Sequence, residues 1–202
     1  PLVHLARLGL ITSRPLMAHC LCLSPADIHL AARRGATVVH CPRSNLKLGS
    51  GIAPVEDFIQ AGIPVALGTD SSASNNSQDI LEEMRFASLL QKGTRGDPTV
   101  LSPARSLAMA TSAAGKAAGF SLGRLAPGEP ADLILVSRRE PHWQPGLDPR
   151  ADLLYAASAS DVVLTMVNGV ILYENGVFQT VDLERIYRML PHFYPRVMSQ
   201  PT

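Results

Sequence analysis

The sequence predicts an α/β protein: a series of strand–helix units with parallel strands, followed by a small antiparallel β module. Three observations carry this. Short apolar runs alternate with helical stretches over residues 15–92, and Gly35 and Gly62 stand where helices should stop. Strand–helix–strand spacing of this kind implies right-handed crossovers, so the C-terminal ends of the strands share one face. From Gly123 the composition turns to loops and short strands, and Asn168-Gly169 fits a two-residue hairpin turn with positive φ.

Leu2 to Leu10 reads as the tail of a helix, with Leu2, Leu5 and Leu8 at helical spacing and Gly9 as its stop, so the chain is expected to open inside a repeating unit. Pro15–Leu21 is the first strand. Ser24-Pro25 supplies a cap and a proline at the first helical position for a helix to about Arg34. Ala36–Cys41 is the second strand, closed by Pro42, and Arg43–Gly51 reads as a loop. A helix covers about Ala53–Ala61. Ile63–Thr69 is the third strand, apolar enough to be buried on both faces. Helices follow over about Asp79–Lys92 and Ser102–Gly119, the latter opened by Ser-Pro. In the second half, Leu133–Val136 is a strand, Val162–Val167 and Val170–Tyr173 form the hairpin, and Glu174-Asn-Gly176 turns into Val177-Phe178. A helix over about Leu183–Leu190 precedes a Pro-rich end.

A chain of 202 residues that is 46% hydrophobic buries a real core and holds one or two domains. Its net charge of +1, without a Lys/Arg run, points away from nucleic acid and acidic membrane surfaces. No apolar run reaches the roughly 18 residues a membrane span needs, and the N-terminus lacks signal-peptide character. Cys20, Cys22 and Cys41 are read as reduced thiols of a cytosol-like compartment. Cys20-Leu-Cys22 is more consistent with packing than with a metal site.

The parallel arrangement brings His19-Cys20, His40-Cys41 and Asp70 to one rim. A lone carboxylate at the end of a buried parallel strand suits a catalytic group, and it equally suits a cap for the next helix. His19 and Asp70 are the base/acid pair that metal-assisted hydrolysis needs: a carboxylate can ligate Zn²⁺ or take the proton of a bound water, and a histidine can stabilise developing charge. A catalytic zinc requires about three protein ligands, and the chain has no H-x-H, H-E-x-x-H or Cys-x-x-Cys. The zinc cytidine deaminase signature is also absent. His40 is read as a structural rim residue, Trp143 as packing or loop, and Glu82-Glu83 with Arg85 as a solvated face or structural pair. Ala104–Ala118 reads as scaffold, and His4, His29, His142 and His192 are assigned no role.

Ala18-His-Cys20, the run Cys41–Pro54, Leu67-Gly-Thr-Asp70 with Ala73-Ser-Asn-Asn76, Glu83-Met-Arg85 with Leu89–Lys92, and Pro130-Ala-Asp-Leu133 together resemble the amidohydrolase superfamily. The resemblance is to its branch of methylthioadenosine/S-adenosylhomocysteine deaminases and chlorohydrolases, and it covers nearly the whole chain. It implies a (β/α)₈ TIM-type barrel of which the chain holds about the last three strands, six to eight, over 1–122. Part of a small β-sandwich follows over 123–181, and a C-terminal helix and tail over 182–202.

The implied reaction is attack of metal-bound hydroxide on a ring carbon of an adenosine-like or other heteroaromatic substrate. It makes the protein a cytoplasmic hydrolase of carbon–nitrogen bonds other than peptide bonds. Chlorohydrolysis, guanine or triazine deamination, and a truncated non-catalytic module acting through a partner chain are the alternatives. Asp70 matches a metal ligand that also moves protons, and His19 a catalytic histidine. Ser44, Asn45 and Ser71 are pocket-loop candidates, with no specific bond assigned to Asn45 or Lys47. One divalent metal is implied, zinc or alternatively iron. The family's H-x-H, its further metal-binding His and the Glu that follows that His have no counterpart here. The chain alone is therefore expected to be inactive, its partners being a small-molecule substrate and either a second copy or a complementing N-terminal segment. Two positions depart from the family pattern: Ser71 stands where Gly is frequent and Cys22 where His is frequent.

Overall fold

The computed structural model describes residues 1–11 and 13–193; the last part of the Pro-rich end read from the sequence lies outside them. By internal contact the chain divides into two units, residues 1–129 with 138–161, and residues 130–137 with 162–202.

The first unit opens with α1 (Leu2–Arg7), β1 (Leu16–Ala18), α2 (Pro25–Arg33), β2 (Thr37–His40), α3 (Pro42–Lys47), α4 (Val55–Gln60) and β3 (Val65–Leu67). It continues with α5 (Ser72–Asn75), α6 (Ile80–Arg95), α7 (Pro103–Ala110), α8 (Ser112–Ala117) and α9 (Pro149–Tyr155). The strands form one parallel sheet in the order β1-β2-β3. Pairing of Ala18 with Val39 and of His40 with Leu67 levels their C-terminal ends, so the predicted shared rim exists.

Local sequence explains the helix boundaries. Ser24 and Asp27 complete a capping box at the start of α2, the Ser24 hydroxyl oxygen accepting from the Asp27 N–H while Asp27 accepts from the Ser24 N–H. The Asp79 carboxylate accepts from the Leu81 and Glu82 N–H groups to start α6, and Gly96 at φ 62° ends it. On the central strand Val38 is fully buried, and so is Phe58 of α4. On β3 every side chain is buried, because the strand contacts α4, α6, α7 and α8.

Three differences from the sequence reading concern this unit. The stretch after Cys41 begins as α3, because Pro42 at the first helical position needs no amide partner. The helix expected over 102–119 breaks at Thr111 (φ −126°, ψ −93°) into α7 and α8. Residues 138–161 group with this unit although the sequence division at 123 assigns them to the second. There α9 packs on α6 and α7, and the Arg85 guanidinium donates to the Leu154 and Ala157 carbonyls.

The second unit is an antiparallel sheet in the order β4-β5-β6-β7: β4 (Leu133–Val136), β5 (Val162–Val167), β6 (Val170–Glu174) and β7 (Val177–Phe178). Asn168 (φ 49°) and Gly169 (φ 77°) make the tight turn between β5 and β6 that the Asn-Gly pair predicts. α10 (Leu183–Met189) follows, capped by Asp182.

Candidate functional site

Asp70 stands three residues past the end of β3, after Gly68. That glycine has no room for a side chain: an added Cβ would come within 2.8 Å of Val39. Asp70 itself takes φ 61°, as do His19 (63°) and Cys20 (56°) past the end of β1. Left-handed backbone at a non-glycine residue costs about 1–3 kcal/mol and persists only where surrounding bonds over-determine it. Here two strained turns lie on the same rim, each presenting an ionisable side chain.

The bonds that fix them come from α3. The Ser44 hydroxyl donates to Asp70 Oδ2 at 2.5 Å, and its neighbour Asn45 meets His19 Nδ1 through Oδ1 at 2.8 Å. Ser44 and Asn45 are both buried, so one short helix orients both residues of the pair. The Ser74 hydroxyl adds a second bond to Asp70 Oδ2 at 2.7 Å. These two hydroxyls, with the Ser71 N–H, hold the Asp70 carboxyl below the ordinary aspartate range, so it is the ionised form that stands on the rim. His19 Nε2 lies 3.9 Å from Asp70 Oδ2, and both side chains are about one-third exposed. With Nδ1 engaged by Asn45, the other ring nitrogen is the one directed toward the carboxylate.

The sequence-predicted residues thus converge: Asp70, His19, Ser44 and Asn45 form one network, and Ser71 caps α5 beside it through the Ser74 N–H. Asn45 and Lys47, to which the sequence reading gave no bond, both have one. Lys47 Nζ donates to the Ala73 carbonyl at 2.8 Å and to Asn76 Oδ1, tying α3 to the loop after Asp70. His40 is buried at the end of β2, and burial, with His19 nearby, lowers its pKa to about 4. It is a neutral ring at physiological pH.

Cys20 and Cys41 stay out of the chemistry. Burial pushes the Cys20 and Cys41 thiols up to about 11, at Cys41 with help from the Asp70 and Glu83 carboxylates, so neither offers a thiolate.

Glu83, for which the sequence allows a solvated face or a structural pair, does not lie on a solvated face: its side chain is fully buried and bonded to Asn75 and the Arg43 N–H. Two adjacent glutamates on a helix give no local sign of which one turns inward. His142, expected to have no partner, meets Asp161 at 3.1 Å. Trp143 is buried, as the packing reading expects.

For metal chemistry the donor set fits one corner of a site. Asp70 offers an anionic oxygen, but no group of three or more His, Cys, Asp or Glu side chains able to hold a metal occurs among the described residues. None of the described helices is long and apolar enough to cross a membrane.

The sequence profile of the amidohydrolase family matches residues 2–172. The chain is 46% identical over 189 residues to the 5-methylthioadenosine/S-adenosylhomocysteine deaminase of Moorella thermoacetica, a match covering 93% of this chain and 44% of that protein. It is 42% identical over 186 residues to the deaminase of the same name from Pyrococcus furiosus. Among solved structures, a zinc-bound adenosine deaminase from Xanthomonas campestris superposes with a TM-score of 0.94 at 35% identity, over 99% of this chain and 46% of that one. The zinc complex of the atrazine chlorohydrolase from Arthrobacter aurescens gives 0.87 at 29%, over 95% and 43%. The chain therefore spans a little under half the length of the relatives it matches.

Proposed function

The chain belongs to the amidohydrolase family, and on that premise we propose that it is the rim-bearing C-terminal part of a metal-dependent aminohydrolase. In this reading β1, β2 and β3 serve as the sixth to eighth strands of a (β/α)₈ barrel, and the four-stranded unit belongs to a small β-sandwich. The substrate is an adenosine-like nucleoside of the 5′-methylthioadenosine or S-adenosylhomocysteine type, losing ammonia from its ring. The named relatives support this substrate class. A reducing, cytoplasmic setting is supported by three unpaired cysteines.

The observation that carries the reading is the Asp70–His19 pair. Two left-handed turns at the C-terminal ends of parallel strands aim an ionised carboxylate and an imidazole at each other, with both side chains open to an incoming molecule. Asp70 is the residue of this chain that would ligate the metal, zinc by the precedent of the neighbouring structures, the other ligands coming from outside this chain. Bound there, a divalent ion acidifies water so that it is nucleophilic at neutral pH.

The remaining work falls to the chain's own residues. Asp70 holds and returns a proton while Ser44 and Ser74 keep its carboxylate oriented. His19, pinned through Nδ1 by Asn45, uses Nε2 to hydrogen-bond charge developing at the reacting ring. Ser71 and α3 border the pocket.

The test is ammonia release from 5′-methylthioadenosine by the intact natural polypeptide that carries this chain, with its mass and metal content measured alongside. The expected result is zinc-dependent turnover by a polypeptide about twice this length. Turnover only of a chlorinated triazine would replace the deaminase by the chlorohydrolase reading, which the superposition on the atrazine enzyme favours as second choice. A natural polypeptide of 202 residues without zinc or turnover would leave a non-catalytic module that acts through a partner chain.

A further inference from the structure

Glu83 has no place in the chemistry above, yet it is a charged side chain with no solvent exposure, and its bonds lead to both arms of the site. Oε1 accepts from Asn75 Nδ2 at 2.6 Å, and the same Nδ2 donates to the Thr69 carbonyl at 2.6 Å. That carbonyl belongs to the peptide that enters Asp70 in its left-handed turn. Oε2 accepts from the Arg43 N–H at 3.2 Å. This amide lies in the first turn of α3, where the helix has no side-chain cap of its own, and the next residue is Ser44. A single carboxylate thus fixes the peptide before Asp70 and the helix start before the hydroxyl that binds Asp70.

We infer that Glu83 is the positioning residue of this site, a buried carboxylate that sets the Asp70 carboxylate against Ser44 by clamping the Thr69–Asp70 peptide and the N-terminus of α3. Burying an ionisable group is costly unless its oxygens are bonded; one of the two bonds observed ends on the Arg43 backbone amide and the other on Asn75, whose side chain passes it to the Thr69 carbonyl. Burial raises the Glu83 pKa, while Asn75 and Arg43 counteract it by bonding the carboxylate. Its neighbour Glu82 pairs with the Arg43 guanidinium on the half-buried surface, whereas the Arg43 N–H and the Asn75 amide both bond Glu83. The inference rests on reading Asp70 as a reacting carboxylate.

The experiment uses Glu83→Gln, which keeps the size and loses one acceptor, in the intact polypeptide, with Glu82→Gln as control. Turnover of 5′-methylthioadenosine is expected to fall about 10- to 100-fold in kcat, as for other residues that orient a ligand from behind, with KM within about twofold. Glu82→Gln stays within about twofold in both. In the metal-free protein, amide hydrogen exchange at Ser71, whose N–H bonds the Asp70 carboxylate, is expected to quicken by about 10-fold relative to Val38, which reports global opening. A kcat within twofold of the parent, or Ser71 exchange that changes only in step with Val38, overturns the inference. Should Glu83→Gln not fold, Asn75→Ala, which cuts only the Thr69 arm, is judged by the same two readouts. Asp70→Asn run in parallel separates the failures. If it retains turnover, the functional reading falls and the exchange comparison alone decides on Glu83. If it abolishes turnover while Glu83→Gln does not slow it, only the positioning role falls.

Discussion

His142 and Asp161 meet at 3.1 Å with the carboxylate buried, whereas His19 and Asp70 stand 3.9 Å apart with both side chains partly open to solvent. The tighter pair does structural work. Asp161 Oδ2 also accepts from the Ser158 N–H and hydroxyl, closing the turn that leads into β5. Burial works against its charge, but the Ser158 bonds and His142 hold its carboxyl below the ordinary range. The looser pair sits on strained backbone, and each partner is oriented from behind by α3. A short distance with the carboxylate buried and bonded to its own turn marks a pair whose bonding is complete, although His142 is itself exposed; a small gap with fixed orientation leaves room for a third molecule.

The comparison breaks first on activity. In the intact polypeptide, Asp70→Asn should lower kcat for nucleoside deamination by about 10²- to 10⁴-fold, while Asp161→Asn leaves it within about twofold. Similar losses from both variants in a steady-state assay would abolish the distinction between a working pair and a structural one.

Stability should give the reverse order. Asp161→Asn presents an amide to the Ser158 N–H and forfeits a buried charge-assisted set, costing about 1–3 kcal/mol. At this chain size that is roughly 2–4 °C of Tm per kcal/mol; Asp70→Asn, at an exposed site, should shift Tm far less. The Asp161 carboxyl titrates lower in the folded than in the unfolded state. Its contribution is therefore present above the unfolded value near 4 and lost as pH falls through the folded value. The Tm gap between parent and Asp161→Asn should be full at pH 6 and close as pH falls below about 4.

His40 sharpens the comparison with a different pH window. Its folded pKa of about 4 lies below the ordinary value of 6.5, so between those values the unfolded state binds the extra proton. Stability should fall as pH drops from about 6.5 to about 4, and thermal melts of His40→Gln should lack that slope. A slope that survives the substitution would assign it elsewhere. The smallest effect is expected at Ser71→Gly: its hydroxyl caps a helix of four residues, and glycine is nearly as good at that position, so Tm should move by about 1 °C or less.

Much of this was legible without the fold. Ser24 announces a helix through its own side chain, Gly35 and Gly62 stand just past helix ends, and Asn168-Gly169 makes its hairpin turn, because each signal acts within a few residues. Parallel topology then carried His19 and Asp70 to one rim, since crossover handedness leaves strand ends no other arrangement. Family resemblance supplied the chemistry to expect there.

What the sequence could not fix is which polar groups find each other across the chain. Ser44 reaches Asp70 and Asn45 reaches His19 across 26 residues, and Arg43 reaches Glu83 across 40. Arg43–Gly51 read as a loop because its serine, lysine and glycines are turn residues; tertiary packing made its first turns a helix and capped it with a carboxylate from α6. Glu83 read as surface or simple pairing for a related reason: in sequence a glutamate looks the same whether water or buried amides satisfy its oxygens. Local propensity sets where an element starts and stops. The partner of a buried charge is decided only when the chain packs, because the cost of leaving that charge unpaired exists only once water has been excluded.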